Sequence, residues 1–244
     1  MHNLLTIRKW RDLIGFSDNS LKIILLESSL ELVPREIANH PSVVNNARKR
    51  GKKPFETLLD VSLHYHAMLK LREREKRGRP DIVHVSLLFA LESPLNKKKK
   101  LELYIHTYPG DIIFINPETR IPRNYNRFVG LIEQLLINGK IPPNSDNPLM
   151  FVKTMDLDYL FKEIDINGLI LLSEKGVYKK PFDIVKESIE NNYLIGIGGF
   201  PHSDFSKYIV DKSIAQYSIY SEPLMTWIVL SRILIEAERY FNLF

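Results

Sequence analysis

The sequence predicts an α/β fold in which a parallel sheet carries helices on its faces. Three observations support this. Leu21 to Leu26 is a continuous apolar run of strand length, the texture of a strand buried on both faces. Beyond Asp165, short strand-like runs alternate with helical ones. The chain then ends on a long helix from about Leu224. There Trp227, Leu230, Leu234, Ala237, Phe241 and Phe244 step by three and four along one face, with Arg232, Glu236 and Arg239 on another.

The elements follow in order. After the first strand, Pro54 to Leu71 has helical spacing through Phe55, Leu58, Leu59, Val61, Leu63 and Met68. Asp81 to Leu91 has the texture of a second strand. Lys97 to Lys100 forms a solvated turn before the alternating stretch from Leu101. Leu101 to Thr107 and Ile112 to Asn116 flank Tyr108-Pro109-Gly110-Asp111 and predict a hairpin. Tyr125 to Asn138 predicts a helix stopped at Gly139. A loop rich in Pro and Asn follows, from Pro142 to Pro148. Leu169 to Leu172, Leu194 to Ile197 and Tyr217 to Tyr220 are expected strands, and Pro181 to Glu190 a helix between the first two.

The chain has 244 residues, enough for a substantial core, and a net charge of +5 from 34 Lys+Arg and 29 Asp+Glu. Residues 165–244 hold 8 basic and 10 acidic side chains, so the excess lies entirely in residues 1–164. It gathers at Arg48 to Lys53, at Lys70 to Arg79, at Lys97 to Lys100, and at Arg120, Arg123 and Arg127. The arginine set sits in a Pro/Asn-rich stretch that opens a helix. Permanently charged, planar guanidiniums beside helix-start amides suit phosphate contacts. A basic front on a near-neutral back points to a polyanion-binding surface built onto a scaffold with another task.

Several classes are excluded or disfavoured. No cysteine is present, so there is no disulfide, Cys-zinc site, iron–sulfur cluster or thiol nucleophile. Neither a G-x-x-x-x-G-K-[ST] phosphate loop nor a G-x-S-x-G elbow occurs. His64 and His66, two apart on an expected helix, point to different faces; His84 and His106 fall within strand patterns. No metal site is expected. The segment MHNLLTIRKWRD lacks a signal peptide's apolar stretch, and Leu224 to Ile235 is too short and interrupted to cross a bilayer, so no membrane association is expected. Three strand-end loops offer bare backbone for a small molecule: Leu171 to Gly176, Gly196 to His202, and Ser218 to Leu224. The second departs from the dinucleotide fingerprint, which wants glycine where Pro201 stands.

Gly78-Arg79-Pro80-Asp81-Ile82-Val83-His84, Tyr104-Ile105-His106-Thr107, Arg120-Ile121-Pro122-Arg123, Gly196 to His202 and the loop before the last helix together resemble one family. It is the SPOUT-class small-subunit ribosomal RNA pseudouridine-N1-methyltransferase family of ribosome biogenesis, and the resemblance runs from about Leu21 to the C-terminus. The absence of long disordered tails resembles archaeal members. The resemblance implies a single SPOUT-type domain over residues 1–244, with insertions in its N-terminal half and a C-terminal trefoil knot. Residues 1–164 would then be a basic RNA-binding part, and residues 165–244 the knotted cofactor-binding and dimerisation part. It also implies S-adenosyl-L-methionine as cofactor, a homodimer, small-subunit ribosomal RNA and its proteins as partners, and a cytoplasmic location (nucleolar in a eukaryote). Cofactor contacts carry over to Leu172, Ser173, Gly176, Gly198, Gly199, Phe200, Ser203, Ile219, Tyr220, Ser221, Glu222, Pro223 and Leu224. RNA contacts carry over to Arg79, Arg120, Arg123 and Arg127. Ser203 departs from the family's glycine, and a serine forced into a left-handed conformation there would be strained.

Pseudouridine is joined to ribose through carbon, so its N1 carries a proton. Methylation needs that N–H held in line with the sulfonium methyl and then deprotonated. Asp81 is the candidate to orient the base or accept the proton, the alternative being that it braces Arg79. Two other readings stand beside this one: a non-catalytic RNA-binding assembly factor, and methylation of another RNA position.

Overall fold

The computed structural model describes residues 6–17 and 19–244. The expectation about the N-terminal segment therefore falls in part, at Met1–Leu5, outside the described residues. The elements in chain order are α1 (Ile7–Ile14), β1 (Leu21–Ser28), α2 (Pro41–Lys49), α3 (Val61–Met68), α4 (Pro80–Glu92), α5 (Pro94–Lys97), β2 (Leu101–Thr107), β3 (Asp111–Ile115), α6 (Tyr125–Asn138), β4 (Lys140–Ile141), β5 (Met150–Thr154), α7 (Leu157–Glu163), β6 (Gly168–Tyr178), α8 (Pro181–Asn191), β7 (Tyr193–Gly198), α9 (Lys207–Lys212), β8 (Ser213–Ser218) and α10 (Thr226–Tyr240).

One eight-stranded sheet runs in the order β4-β5-β3-β2-β1-β7-β6-β8. From β2 to β8 the neighbours are parallel; β3, β5 and β4 pair antiparallel. The sheet is thus mixed, where a parallel one was expected, because the β2–β3 hairpin turns the chain back at Gly110 (φ 100°) and β5 and β4 extend it. Every residue of β1 is buried, as its apolar run predicts for a strand between two parallel neighbours.

A core forms on each face. On one side α4, α5, α6, α8 and α10 cover Ile23, Leu25, Leu103, Ile105, Ile170 and Ile195. On the other, α1, α7 and α9 cover Ile24, Leu26, Tyr104, Phe114, Leu169 and Leu194. A third, smaller core around Val33, Val43, Leu59, Ala67 and Met68 joins the segment inserted between β1 and α4. Trp10 of α1 plugs the second core edge-on to Phe114 and Phe151, and its indole N–H donates to the Pro148 carbonyl at 3.3 Å.

Several expectations are corrected. Asp81 to Leu91 is helical: Pro80 stands at the first helical position with Asp81 in the first turn. The run reads as apolar throughout because α4 is buried on most sides, which erases the 3.6-residue period. His84 consequently sits on a helix, and Lys97 to Lys100 close α5 and lead into β2 instead of turning a hairpin. Pro54 to Leu71 breaks into a 3-10 turn, Pro54–Glu56, and α3, which starts where the Asp60 carboxylate accepts the Ser62 amide. The strand expected at Tyr217 to Tyr220 is Ser213–Ser218, and the last helix opens at Thr226, leaving Phe244 exposed.

Candidate active site: a strand-end cleft and an arginine face

The C-terminal ends of β7 and β8 release two loops, the place where open α/β sheets bind ligands. The third expected loop, Leu171 to Gly176, is instead part of β6, which runs between them to Tyr178 and slips register against β8 between Leu172 and Val177. Between these loops lies a cleft of about 250 Å³. Its apolar walls include Leu172, Ile197, Leu224 and Val229, and Glu174, Asp204 and Glu222 give it an acidic rim. Phe200 and Phe205 meet edge-on at 5.4 Å on one side. The Thr226 hydroxyl donates to the Gly198 carbonyl at 2.7 Å, fastening the start of α10 to the end of β7. Lys175 of β6 and Asp204 of the loop after β7 pair at 2.6 Å. Among the described residues, the amides of Ser221, Glu222 and Leu224 donate to no protein acceptor. Apolar walls, bare amides and an acidic rim fit a nucleoside attached to a cationic amino-acid tail.

The second feature lies before Asp165. Arg79 makes two hydrogen bonds to the Asp81 carboxylate, at 2.8 and 2.7 Å, and this pairing raises the guanidinium pKa against the lowering effect of its partial burial. Arg120, Arg123 and Arg127 are exposed and, among the described residues, make no ion pair. Their loop is held from beneath. The His84 imidazole meets the Pro122 carbonyl at 2.7 Å and stacks on Phe128 at 4.3 Å. The Tyr125 hydroxyl donates to Asp60 at 2.5 Å; burial, then that carboxylate, pushes the phenol pKa up. The Val61 amide in turn donates to the Gly78 carbonyl, next to Arg79.

Residues 23–238 match the EMG1/NEP1 methyltransferase family. The chain belongs to that family. Among its relatives, the ribosomal RNA small subunit methyltransferase Nep1 of Staphylothermus marinus is 66% identical over 91% of this chain and 97% of its own length. The Saccharolobus solfataricus protein of the same name is 53% identical over 87% and 94%. The crystal structure of Archaeoglobus fulgidus Nep1 bound to S-adenosylhomocysteine superposes with a TM-score of 0.82 at 39% identity, covering 91% of this chain and 99% of that one.

In this EMG1/NEP1 chain the cleft brings together Leu172, Ser173, Gly198, Phe200, Ser203, Ile219, Tyr220, Glu222, Pro223 and Leu224 of the residues carried over for the cofactor. Gly176, Gly199 and Ser221 stand outside its lining. A Cβ at Gly176 would lie 2.6 Å from the Tyr217 backbone, and one at Gly199 would run into the Ser28 hydroxyl. Those two glycines therefore serve close chain packing. Ser203 takes φ 94°, the strained conformation foreseen for it. Asp81 is half-exposed at the head of α4 and does not line the cleft. Among the described residues no group of three or more His, Cys, Asp or Glu is placed to hold a metal.

Sequence reasoning missed Asp60, His84 and Tyr125 as supports of the arginine loop; only the N-cap aspartate had a local signal. Two basic runs also change meaning. Arg50 and Lys52 each bond the fully buried Glu133 carboxylate at 2.5 Å. Lys76 and Arg77 are buried against Glu27 and Glu31. Four of the eleven basic side chains in these runs are taken up by internal pairing.

His64 and His106 are buried, and burial lowers both pKa values despite nearby Asp60 for one and Glu27 for the other. Both stay neutral in the fold, whereas an unfolded imidazole protonates near pH 6.5. Their stabilising effect is complete above about pH 6.5 and diminishes as pH falls from there toward the lowered values. Glu31, raised by burial, acts with the opposite sign. The clean measurement is thus a difference: between about pH 7 and about pH 5, the unfolding midpoint of the wild type should drop more than that of His64→Gln. Parallel profiles would refute a neutral His64.

Proposed function

We propose that this chain transfers the methyl group of S-adenosyl-L-methionine to N1 of a pseudouridine in small-subunit ribosomal RNA, during assembly of that subunit. The observation that carries the reading is the strand-end cleft, in a chain 39% identical to a Nep1 whose structure holds S-adenosylhomocysteine. Leu172, Ile197, Leu224 and Val229 would enclose the adenosine, and Glu174, Asp204 and Glu222 would balance the cationic end. When bound, the cofactor supplies an electrophilic methyl on a sulfonium. The protein's own work is positioning. Arg120, Arg123 and Arg127 grip phosphates flanking a base taken out of its stack. Arg79 fixes the Asp81 carboxylate, which receives the N1 proton, or orients that N–H, as the N1–C bond forms and the S–C bond breaks.

Two finer features belong to the same proposal. A C-terminal trefoil knot in residues 165–244 is part of this reading, with the start of α10 held to the end of β7 where Thr226 meets Gly198. The groove between α4 and α10, about 440 Å³ and lined by Leu88, Phe89, Leu234 and Ile235, leaves Phe89 and Ile235 half-exposed, and a second copy of the chain would cover it as a homodimer. Residues 1–164 then present RNA contacts and residues 165–244 the cofactor.

The test is methyl transfer from radiolabelled S-adenosylmethionine to matched RNA oligonucleotides carrying uridine or pseudouridine. Transfer to the pseudouridine oligonucleotide alone is expected. Equal transfer to both would make the target another position, and RNA binding without transfer would make the protein an assembly factor.

A further inference from the structure

A buried ion pair outside the cleft grips the loop that forms one of its walls. Glu27, the penultimate residue of β1, takes φ 48°, a left-handed conformation that a glutamate adopts only at a cost, and it is buried. Its carboxylate pairs with the Lys76 ammonium at 2.9 Å, and Lys76 is only 3% exposed. Two charges withdrawn from water are costly to keep, and a pair of apolar residues would commonly serve stability as well. Strain and buried charge thus coincide on one residue at the C-terminal edge of a central strand.

Both members of the pair reach the loop 200–206. The Ser206 amide donates to the two Glu27 carboxylate oxygens, at 3.1 and 3.3 Å. At the loop's other end, the Lys76 ammonium lies over the Phe200 ring, 5.0 Å from its centre. Phe200 and Phe205, which line the cleft, are braced against each other between these anchors, and the strained Ser203 lies between them. Neighbouring bonds tighten the same junction: the Gly199 amide donates to Leu26 and the Ser29 amide to Gly199, while the Ser29 hydroxyl donates to the Lys76 carbonyl. The Glu27 amide itself donates to the His106 ring at 3.2 Å.

Lys76 also stands three residues before Arg79. Between them Arg77 is locked to Glu31 by two hydrogen bonds, at 2.7 and 2.6 Å, and stacks over Tyr108 at 4.6 Å. The segment 76–79 is therefore a short, well-fastened link from the cofactor loop to the arginine face. We propose that Glu27 and Lys76 are positioning residues that clamp the Phe200–Ser206 wall of the cleft and couple its closure to RNA held at Arg79. This rests on reading the cleft as the cofactor site.

The experiment titrates S-adenosylhomocysteine calorimetrically into the full chain, with and without a pseudouridine-containing RNA oligonucleotide. Wild type should bind S-adenosylhomocysteine about fivefold or more tighter when RNA is present. Lys76→Met should weaken S-adenosylhomocysteine binding about tenfold and abolish that gain, with RNA affinity in its absence unchanged. In turnover, the variant's KM for S-adenosylmethionine should rise while kcat falls by less than about twofold. If circular dichroism shows Lys76→Met unfolded, Glu27→Gln/Lys76→Met, which leaves no buried charge unpaired, carries the same expectations. Wild-type affinity and RNA gain in the variant, or no gain in the wild type, overturns the proposal. Gly198→Val, which fills the cleft, separates the underlying reading: if it binds S-adenosylhomocysteine normally, the cofactor lies elsewhere.

Discussion

An Asp81→Asn variant is expected to turn over pseudouridine-containing RNA about 100-fold more slowly than the wild type while keeping its fold. The geometry gives the reason. Both Asp81 oxygens accept from the Arg79 guanidinium, at 2.8 and 2.7 Å, so the carboxylate's orientation is set by two parallel bonds. An asparagine keeps one of these bonds and turns an NH₂ toward the other N–H, so the anchored negative charge near the arginine face is lost. The pair is more than a third exposed on each side, so its removal should barely affect stability. Single-turnover rates and RNA affinity together divide the two roles. A lower rate at unchanged affinity makes Asp81 an orienter or proton acceptor; weaker RNA binding at an unchanged rate makes it a brace for Arg79. Wild-type turnover would remove Asp81 from the chemistry.

Glu102→Ala should instead cost about 3–5 kcal/mol of stability. Glu102 is 1% exposed in β2, and its carboxylate holds four groups at once. Arg11 of α1 bonds both oxygens at 2.8 and 2.9 Å, and the Ser20 and Tyr104 hydroxyls each donate at 2.6 Å. Lys22 stands 3.6 Å away, and its burial already lowers its pKa. Burial alone would raise the Glu102 pKa, yet these partners, Arg11 first, hold it below the usual range. With the carboxylate gone, the Ser20 and Tyr104 hydroxyls lose their acceptor, and Lys22, still bonded to Asn192 Oδ1 at 2.8 Å, stays buried without a counter-charge. For a chain of this size the unfolding midpoint should fall by about 10 °C. A fall of less than about 3 °C would show that the network relaxes without it.

Some elements were legible because a local pattern and a physical boundary coincide. Tyr125 to Asn138 is helical over the residues that its periodicity predicts, closed by Asn124 at one end and Gly139 at the other. The β2–β3 hairpin and the strand of Leu21 to Leu26 are similar cases. α4 was not legible, because a helix buried on most sides has no polar face to mark its period. The edge strand β4 has two residues and β5 no strict alternation, so nothing local showed that they extend the predicted hairpin into an antiparallel half of the sheet.

The site divides in the same way. The sequence by itself determined that two of the cleft's loops follow strand ends and that three arginines gather at the start of a helix. These are local matters of residue type and spacing. Only the tertiary structure decided which positive charges face outward. Arg50, Lys52, Lys76 and Arg77 look like Arg120, Arg123 and Arg127 in sequence, but each of the first four meets a buried or largely buried carboxylate tens of residues away in the chain. A charge's role depends on what it is paired with, and pairing across the fold leaves no mark on the local sequence.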